Sequence, residues 1–310
     1  MNHADQIYCI IVTYNAEKWL VKCLDSVINS STGCSIVVID NQSVDRTSEI
    51  IKSCYPSVRL IQNNENSGFG KANNIGIQLA YDEGADYFFL LNQDAWVEAE
   101  TIGLLVQKHK LHPEYGILSP LHLFNAEKLD RKFKSYLGVK GNEIIKNPSP
   151  EQKDSIIQVR FVNAALWLMS RKCIETVGLF APIFNQYGED LNYAHRCKLH
   201  GMKIGIYPKA IGYHEREQSP PKETDVSLNK LLARDKHYCL GVLLNLKHAY
   251  IRQWIFLFFT SVKEFFKYVV LLKFKKIRVI GYRMTFIARY SVLKVQRKKM
   301  KSKGAFLNHP

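Results

Sequence analysis

The chain has 310 residues, 46% of them apolar and 12% aromatic, enough to bury a full core in one large α/β domain with an appendage or in two modest domains. Seven scattered cysteines (Cys9, Cys23, Cys34, Cys54, Cys173, Cys197 and Cys239), odd in number and without a CxxC pair, argue against a disulfide framework or a structural zinc site and point to a reducing, cytoplasmic compartment. The formal charge of +15 is concentrated: from Tyr250 to Pro310 fifteen Lys/Arg face the single acid Glu264, a net of +14 that leaves +1 for everything before.

The N-terminus reaches the apolar run Ile7–Val12 with no basic region or small-residue cleavage site ahead of it, so that run is expected to be a strand and not a secretory leader. A helix is expected over Glu17–Asn29, a strand over Ser35–Ile39, a helix near Asp45–Cys54 and a strand over Arg59–Gln62. A helix over about Lys71–Tyr81, a strand over Tyr87–Leu91 and a helix over Glu98–His109 follow. Short apolar runs alternating with amphipathic helices predict an α/β fold with a mostly parallel sheet covered on both faces. The polar stretch from about Asn125 to Asp154 reads as a loop or poorly ordered insertion, and Val159–Met169 restores the core. After the turn at Gly178–Pro182, Glu189-Asp190 opens a helix that Gly201 stops, and Ile204–Tyr207 and Ala210–Tyr213 read as two short strands ending at His214.

Ligands of such sheets bind beyond the carboxyl ends of the strands. The four exits are Thr13-Tyr14-Asn15, Asp40-Asn41, Asn63-Asn64 and Asn92-Gln93-Asp94, all polar, two ending in a carboxylate. No glycine follows the first strand, which disfavours a dinucleotide fingerprint, a P-loop or a sugar nucleotidyltransferase loop, since these need glycine for the backbone to approach phosphate. Asp40 is placed to accept hydrogen bonds from a base N–H or a ribose hydroxyl. Ser43 and Asp45 read equally as helix caps or ligand contacts. Asn66–Gly76 combines Gly68 and Gly70 with Lys71 and the amides of Asn73 and Asn74 at a helix start, which suits a loop over a pyrophosphate, although such an entry taken alone is more often only a turn. Asp94 is the carboxylate expected to hold Mg2+ or Mn2+ against substrate phosphates, and His214 is either a further ligand or a structural histidine. Glu189 and Asp190 are either a fixed general base or two first-turn acids complementing a helix dipole.

Taken in order, Ile10–Asn15, Val38–Asp45, Asn66–Gly76, Leu91–Asp94 and Tyr187–Asp190 resemble the successive motifs of family 2 glycosyltransferases of GT-A fold, most closely the rhamnosyltransferase-like branch acting on bacterial surface polysaccharides. The resemblance runs from about Gln6 to His214. It implies a nucleotide-sugar donor in contact with Thr13, Asn15, Asp40, Asn41, Gly68, Lys71, Asn74 and Asn92, a divalent metal on Asp94 with His214 as a candidate second ligand, and Asp190 as catalytic base. The implied reaction is an inverting transfer from a nucleoside-diphosphate sugar, dTDP-rhamnose or a UDP-sugar, to a hydroxyl of a glycan or lipid-linked acceptor. Lys71 or Arg196 would add positive charge near the leaving group. The chain departs from the family pattern at Asn92, the first position of the DxD-like element, at Asn192, where many relatives carry a second Asp, and at Ala181, where an Asp commonly follows the Phe.

Residues 1–224 are therefore expected to form the catalytic domain and 225–310 a basic helical region. Ile251–Leu272 is interrupted by Arg252, Lys263, Glu264 and Lys267, short of the roughly 20 apolar residues of a spanning helix, so an interfacial helix at the inner face of the cell membrane is expected. Two rival readings are a nucleic-acid-binding protein using the basic tail and an inactive scaffold of the same fold. The first leaves the acidic strand exits unexplained and the second is disfavoured by the presence of Asp94 and Asp190, so no nucleic-acid partner is expected.

Overall fold

The computed structural model describes residues 4–125, 128–149, 152–184, 187–215 and 227–308. The first half runs β1 (Ile7–Thr13), α1 (Leu20–Ile28), β2 (Ser35–Asp40), α2 (Thr47–Cys54), β3 (Arg59–Gln62), α3 (Phe69–Asp82), β4 (Tyr87–Asn92), β5 (Ala95–Val97) and α4 (Thr101–Leu111). The second runs β6 (Tyr115–Asn125), β7 (Lys128–Leu129), α5 (Arg131–Lys146), β8 (Ile157–Val159), β9 (Leu166–Ser170), α6 (Arg171–Val177), α7 (Glu189–Leu199) and β10 (Lys203–His214). Four helices follow: α8 (Leu228–Leu243), α9 (Tyr250–Val270), α10 (Phe274–Ala288) and α11 (Tyr290–Met300).

The strands form one mixed sheet in the order β3-β2-β1-β4-β9-β6-β10-β5, with β7 on β6 and β8 on β10. β1 pairs parallel with β2 and β4, and β2 with β3, so the N-terminal half is the parallel sheet that the sequence rhythm predicts. β9 then inserts antiparallel between β4 and β6, which brings the second half of the chain against the first. Alternate residues of the central strands face opposite layers, as the period of two demands. Cys9, Ile11, Phe89, Leu91 and Leu168 pack with Leu20 and Leu24 of α1. Ile10, Phe88, Leu90, Trp167 and Met169 pack with Ile77 of α3, Ile174 of α6 and Tyr193 of α7.

Four local expectations are corrected. The stretch read as a loop holds α5, kinked at Gly138 (φ +65°): Asp130 accepts the Phe133 N–H at 2.6 Å as its N-cap, and Phe133 and Leu137, four residues apart, form the buried stripe of its first half. The two strands read over Ile204–Tyr213 are one, β10, with a register shift between Tyr207 and Ile211 at Pro208, which has no N–H to give the ladder. The apolar run Val159–Met169 is divided between β8 and β9, and the connection carries Phe161 and Asn163. Helix α2 starts at Thr47, later than expected. Its first-turn donors go to Asp45, which accepts Thr47 N–H at 3.1 Å and Thr47 Oγ1–H at 2.6 Å, while the Ser43 hydroxyl turns to Asp40.

The C-terminal helices share a core with the sheet half of the chain. Leu240, Leu243, Leu257, Phe286 and Met300 enclose Ala181 and Phe184, from the segment that leads into α7. Arg283 of α10 bonds Asp235 of α8 at 2.6 Å and Glu264 of α9 at 2.9 Å, which satisfies a buried guanidinium. The chain then returns to the sheet side, where Leu179 N–H donates to Ala305 O at 2.8 Å and Asn308 N–H to Gln78 Oε1 at 2.9 Å. Gly178, at φ +86°, allows this approach, since a Cβ there would fall 1.9 Å from Ala305 O. The expected boundary at residue 224 lies outside the described residues.

Candidate active site

Parallel pairing of β1 with β2 sets Thr13 opposite Asp40, and both end their strands fully buried. Thr13 Oγ1–H donates to Asp40 Oδ1 at 2.8 Å, and Ser43 gives the same carboxylate its N–H at 3.1 Å and its hydroxyl at 2.5 Å. Asn15, at φ +51°, accepts the Val44 N–H at 2.9 Å, which stitches the first exit to the second. Asn41 accepts from Asn63 at 2.8 Å and from Ser67 at 3.2 Å, and donates to Gly68 O at 3.4 Å, so the exits of β2 and β3 meet the entry of α3.

One crevice of about 680 Å3 lies along these exits. Its near wall holds Val12, Tyr14, Asn41, Gly68, Asn92 and Asp94. Gly188, Glu189 and Asp190 at the start of α7, His214 at the end of β10, and Lys132, Tyr136, Phe161 and Asn163 complete its lining. The first turns of α3 and α7 both reach it and pack closely at Gly70, where a Cβ would sit 3.3 Å from Phe180 Cβ and 3.4 Å from Glu189 Cβ. Two helix N-termini thus direct their positive ends at one cavity, an arrangement that favours an anion such as a diphosphate.

Asp94 and His214 meet because β5 and β10 run antiparallel with Ala95 opposite His214. Asp94 Oδ1 stands 3.3 Å from His214 Nε2, and His214 is 4% exposed. Among the described residues no group of three or more His, Cys, Asp or Glu is gathered for a metal. The pair nevertheless fits a divalent ion that draws its remaining ligands from diphosphate oxygens and water, the usual habit of Mg2+ and Mn2+. Four buried polar atoms of the crevice residues, Asn92 Oδ1, Asn163 Oδ1, Glu189 Oε2 and His214 Nδ1, have no partner among the described residues. Such atoms cost about 1–3 kcal/mol each when left unmet, and all four belong to residues that line the crevice.

Glu189 and Asp190 form the first turn of α7 after Tyr187 and Gly188, both at positive φ. Burial, then the neighbouring Asp190 charge, pushes the Glu189 carboxyl up to about 7. Burial also raises the Asp190 carboxyl, while the Leu191 and Ala164 backbone and the Lys132 ammonium pull it back. A carboxylate whose proton affinity is raised in a cleft is a suitable general base.

The predicted residues divide. Asn41, Gly68, Asn92, Asp94, Asp190 and His214 line the crevice; Thr13 and Asp40 are buried at its edge, flanking Val12, Tyr14 and Asn41 in the lining; Asn15 and Lys71 are not among its lining residues. Asn74 does not reach it: its amide donates to Phe180 O at 2.9 Å and accepts Phe180 N–H at 2.8 Å, tying α3 to the turn before α7. Arg196 is fully buried and donates to the carbonyls of Val177 and Leu179, so it holds the fold and is not free for a leaving group. Gln93, named only as part of the fourth exit and given no role there, bridges two exits by accepting Tyr14 N–H at 2.7 Å and donating to Tyr14 O at 3.2 Å. Two of the three departures from the family pattern lie under the C-terminal helices. Ala181 is 1% exposed in their shared core, and Asn192, 4% exposed, donates to Leu244 O at 3.5 Å. An unpaired carboxylate would be costly at either position.

Residues 8–178 match the family described as Glycosyl transferase family 2. The chain is similar to the dTDP-rhamnosyl transferase RfbF of Shigella flexneri, 26% identical over 212 residues that are 65% of this chain and 66% of that protein. It is also similar to the teichoic acid poly(glycerol phosphate) polymerase of Staphylococcus epidermidis, 26% identical over 148 residues, 44% of this chain but only 20% of that much longer protein. In fold it is similar to S. aureus TarS 1-349 in complex with UDP-GlcNAc, with a TM-score of 0.53 at 14% identity over 96% of this chain and 90% of that one. The family match extends from β1 through α6, more than half of the sequence, and on that ground the chain belongs to Glycosyl transferase family 2.

Proposed function

We propose that this protein is an inverting, metal-dependent glycosyltransferase that moves a sugar from a nucleoside-diphosphate sugar, dTDP-rhamnose or a UDP-sugar, to a hydroxyl of a glycan or lipid-linked acceptor in bacterial surface polysaccharide synthesis. The observation that carries this reading is the convergence in one crevice of the Asp94–His214 pair, the Asp190 carboxyl and two helix N-termini. The names of RfbF and of the TarS complex with UDP-GlcNAc support the donor class.

In this account Thr13, Asn15, Asp40, Asn41 and Asn92 serve the nucleotide, Gly68 and Lys71 the diphosphate, and Asp94 with His214 would hold Mg2+ or Mn2+. When bound, that ion neutralises negative charge on the departing diphosphate. The Asp190 carboxylate takes the proton of the acceptor hydroxyl as its oxygen forms the new bond to the anomeric carbon. The bond to the diphosphate oxygen breaks on the opposite face, and its electron pair leaves with the nucleotide. A single displacement inverts the anomeric centre. The test is the anomeric proton coupling of the first-formed product by NMR, with Mg2+ present. Product of opposite configuration to the donor is expected, and retained configuration overturns the mechanism.

The same reading puts α9 at the cytoplasmic face of the membrane as the contact element. Its exposed side carries Ile251, Ile255, Phe259, Phe266 and Val270, with Arg252, Lys263 and Lys267 beside them, whereas its one acid, Glu264, turns inward to Arg283. Among the described residues no helix is long and apolar enough to cross a membrane. An apolar stripe edged by cations suits an anionic lipid surface. The acids at the crevice favour this over a nucleic-acid partner.

A further inference from the structure

The end of the crevice nearest α5 lacks the strand-exit residues of the donor side. It is lined by Lys132 and Tyr136 from α5 and by Phe161 and Asn163 from the connection between β8 and β9. Tyr136 and Phe161 meet edge to face, with ring centroids 5.0 Å apart and planes at 85°. Tyr136 is in turn set edge to face at 6.4 Å on Phe133, which stacks on His122 at 4.3 Å. The aromatic wall is therefore anchored in the core by a buried ring, and not laid loosely over the surface. Asn163 brings a different feature: its Oδ1 has no partner among the described residues and is an unmet acceptor on a lining residue.

Asp190 adjoins this wall. Asp190 lines the same cavity as Lys132, Tyr136, Phe161 and Asn163, so a molecule lying against α5 and the β8–β9 connection can bring a hydroxyl to its carboxylate. A pyranose presents an apolar face of slightly positive C–H bonds, which suits the negative face of an aromatic ring, and hydroxyl donors around its edge, which suit a carbonyl oxygen such as Asn163 Oδ1. A bare polyol has no such flat face, and a lipid tail has no donor for the amide. We propose that Tyr136, Phe161 and Asn163 form an acceptor subsite that binds a pyranose ring and sets one of its hydroxyls toward Asp190, with Lys132 at the rim. The inference rests on the glycosyltransferase reading and narrows its acceptor to one that ends in a sugar ring.

The experiment is saturation-transfer difference NMR on the full-length protein with Mg2+ and either UDP or dTDP. The probes are the methyl pyranosides of glucose, galactose, rhamnose and N-acetylglucosamine, with glycerol as the polyol control. At least one glycoside is expected to receive saturation at its ring protons, and glycerol none. The signal should fall about fivefold to tenfold in Tyr136→Ala and in Phe161→Leu, the second of which keeps apolar volume while removing the ring. Asn163→Ala should weaken it as well. Melting temperatures of the variants within a few degrees of the parent show that the fold survives, and stabilisation by UDP or dTDP should be unchanged in all three. Silence of every glycoside, a glycerol signal equal to theirs, or full signal in both aromatic variants overturns the subsite. Failure of the nucleotides to bind while the glycoside signal still depends on the rings would strike the donor reading and leave the subsite standing.

Discussion

His214 Nε2 and Asp94 Oδ1 stand 3.3 Å apart although one ends the last strand of the sheet and the other follows its fourth. The antiparallel pairing of β10 with β5 enforces the contact, with His214 directly across from Ala95. If the two share a divalent ion, each should matter to ion binding separately. Mn2+ titrated in the presence of UDP or dTDP and followed by electron paramagnetic resonance should bind at least about tenfold more weakly in Asp94→Asn and in His214→Ala. Unchanged Mn2+ affinity in His214→Ala would leave the histidine a purely structural partner of Asp94.

A pH effect follows from Glu189. Its carboxyl is pushed up to about 7 in the folded protein, first by burial and then by the Asp190 charge, against an ordinary value of 4.5. Between those values the folded state keeps a proton that the unfolded chain has released, so stability falls as pH rises through the window and is full below it. Glu189→Gln removes the titration. Its melting temperature should therefore decline less than that of the parent between about pH 5 and pH 8. Parallel curves for the two proteins contradict the assignment.

The C-terminal helices should contribute to the stability of the whole chain, because their core encloses Ala181 and Phe184. Leu240 of α8 is fully buried there. Leu240→Ala is expected to cost about 2–5 kcal/mol in urea unfolding. Intrinsic fluorescence and circular dichroism should report one shared transition. A separate early transition confined to the helices would show that they fold independently of the sheet.

Membrane contact through α9 can be measured with vesicles. Sedimentation with anionic phosphatidylglycerol vesicles should exceed that with neutral phosphatidylcholine. The double variant Lys263→Glu, Lys267→Glu should lose affinity at about 1 kcal/mol or more per residue, and Phe259→Ser with Phe266→Ser should weaken binding to both lipids. Equal binding of parent and variants removes α9 as the contact surface.

Much of this site was legible because the signals were local. The apolar runs Ile7–Val12, Ser35–Ile39 and Tyr87–Leu91 match β1, β2 and β4 to within a residue, and the polar residues after them fall at the carboxyl edge of a parallel sheet where ligands bind. What escaped depended on contacts across the chain. Nothing in the sequence near Asn74 shows that its amide is taken up by the Phe180 backbone, and nothing near Arg196 shows that carbonyls of Val177 and Leu179 surround it. Helix α5 was hidden because lysines, arginines and glycines outnumber its buried stripe of Phe133 and Leu137, and with it went the aromatic end of the crevice. The stripe's four-residue spacing and the Asp130 cap were the signals that could have exposed it.

The central claim is that one crevice binds a nucleotide sugar through Asp94 and uses Asp190 as the base. Its most direct test is thermal stabilisation by a panel of UDP-, dTDP- and GDP-sugars with and without Mn2+, together with transfer rates, for the parent, Asp94→Ala and Asp190→Asn. One nucleotide class should raise the melting temperature only with metal, the shift should vanish in Asp94→Ala, and Asp190→Asn should keep it while losing about 10²–10⁴ in kcat. Absence of any shift in the parent, or an Asp190→Asn variant that turns over at the parent's rate, would contradict the account.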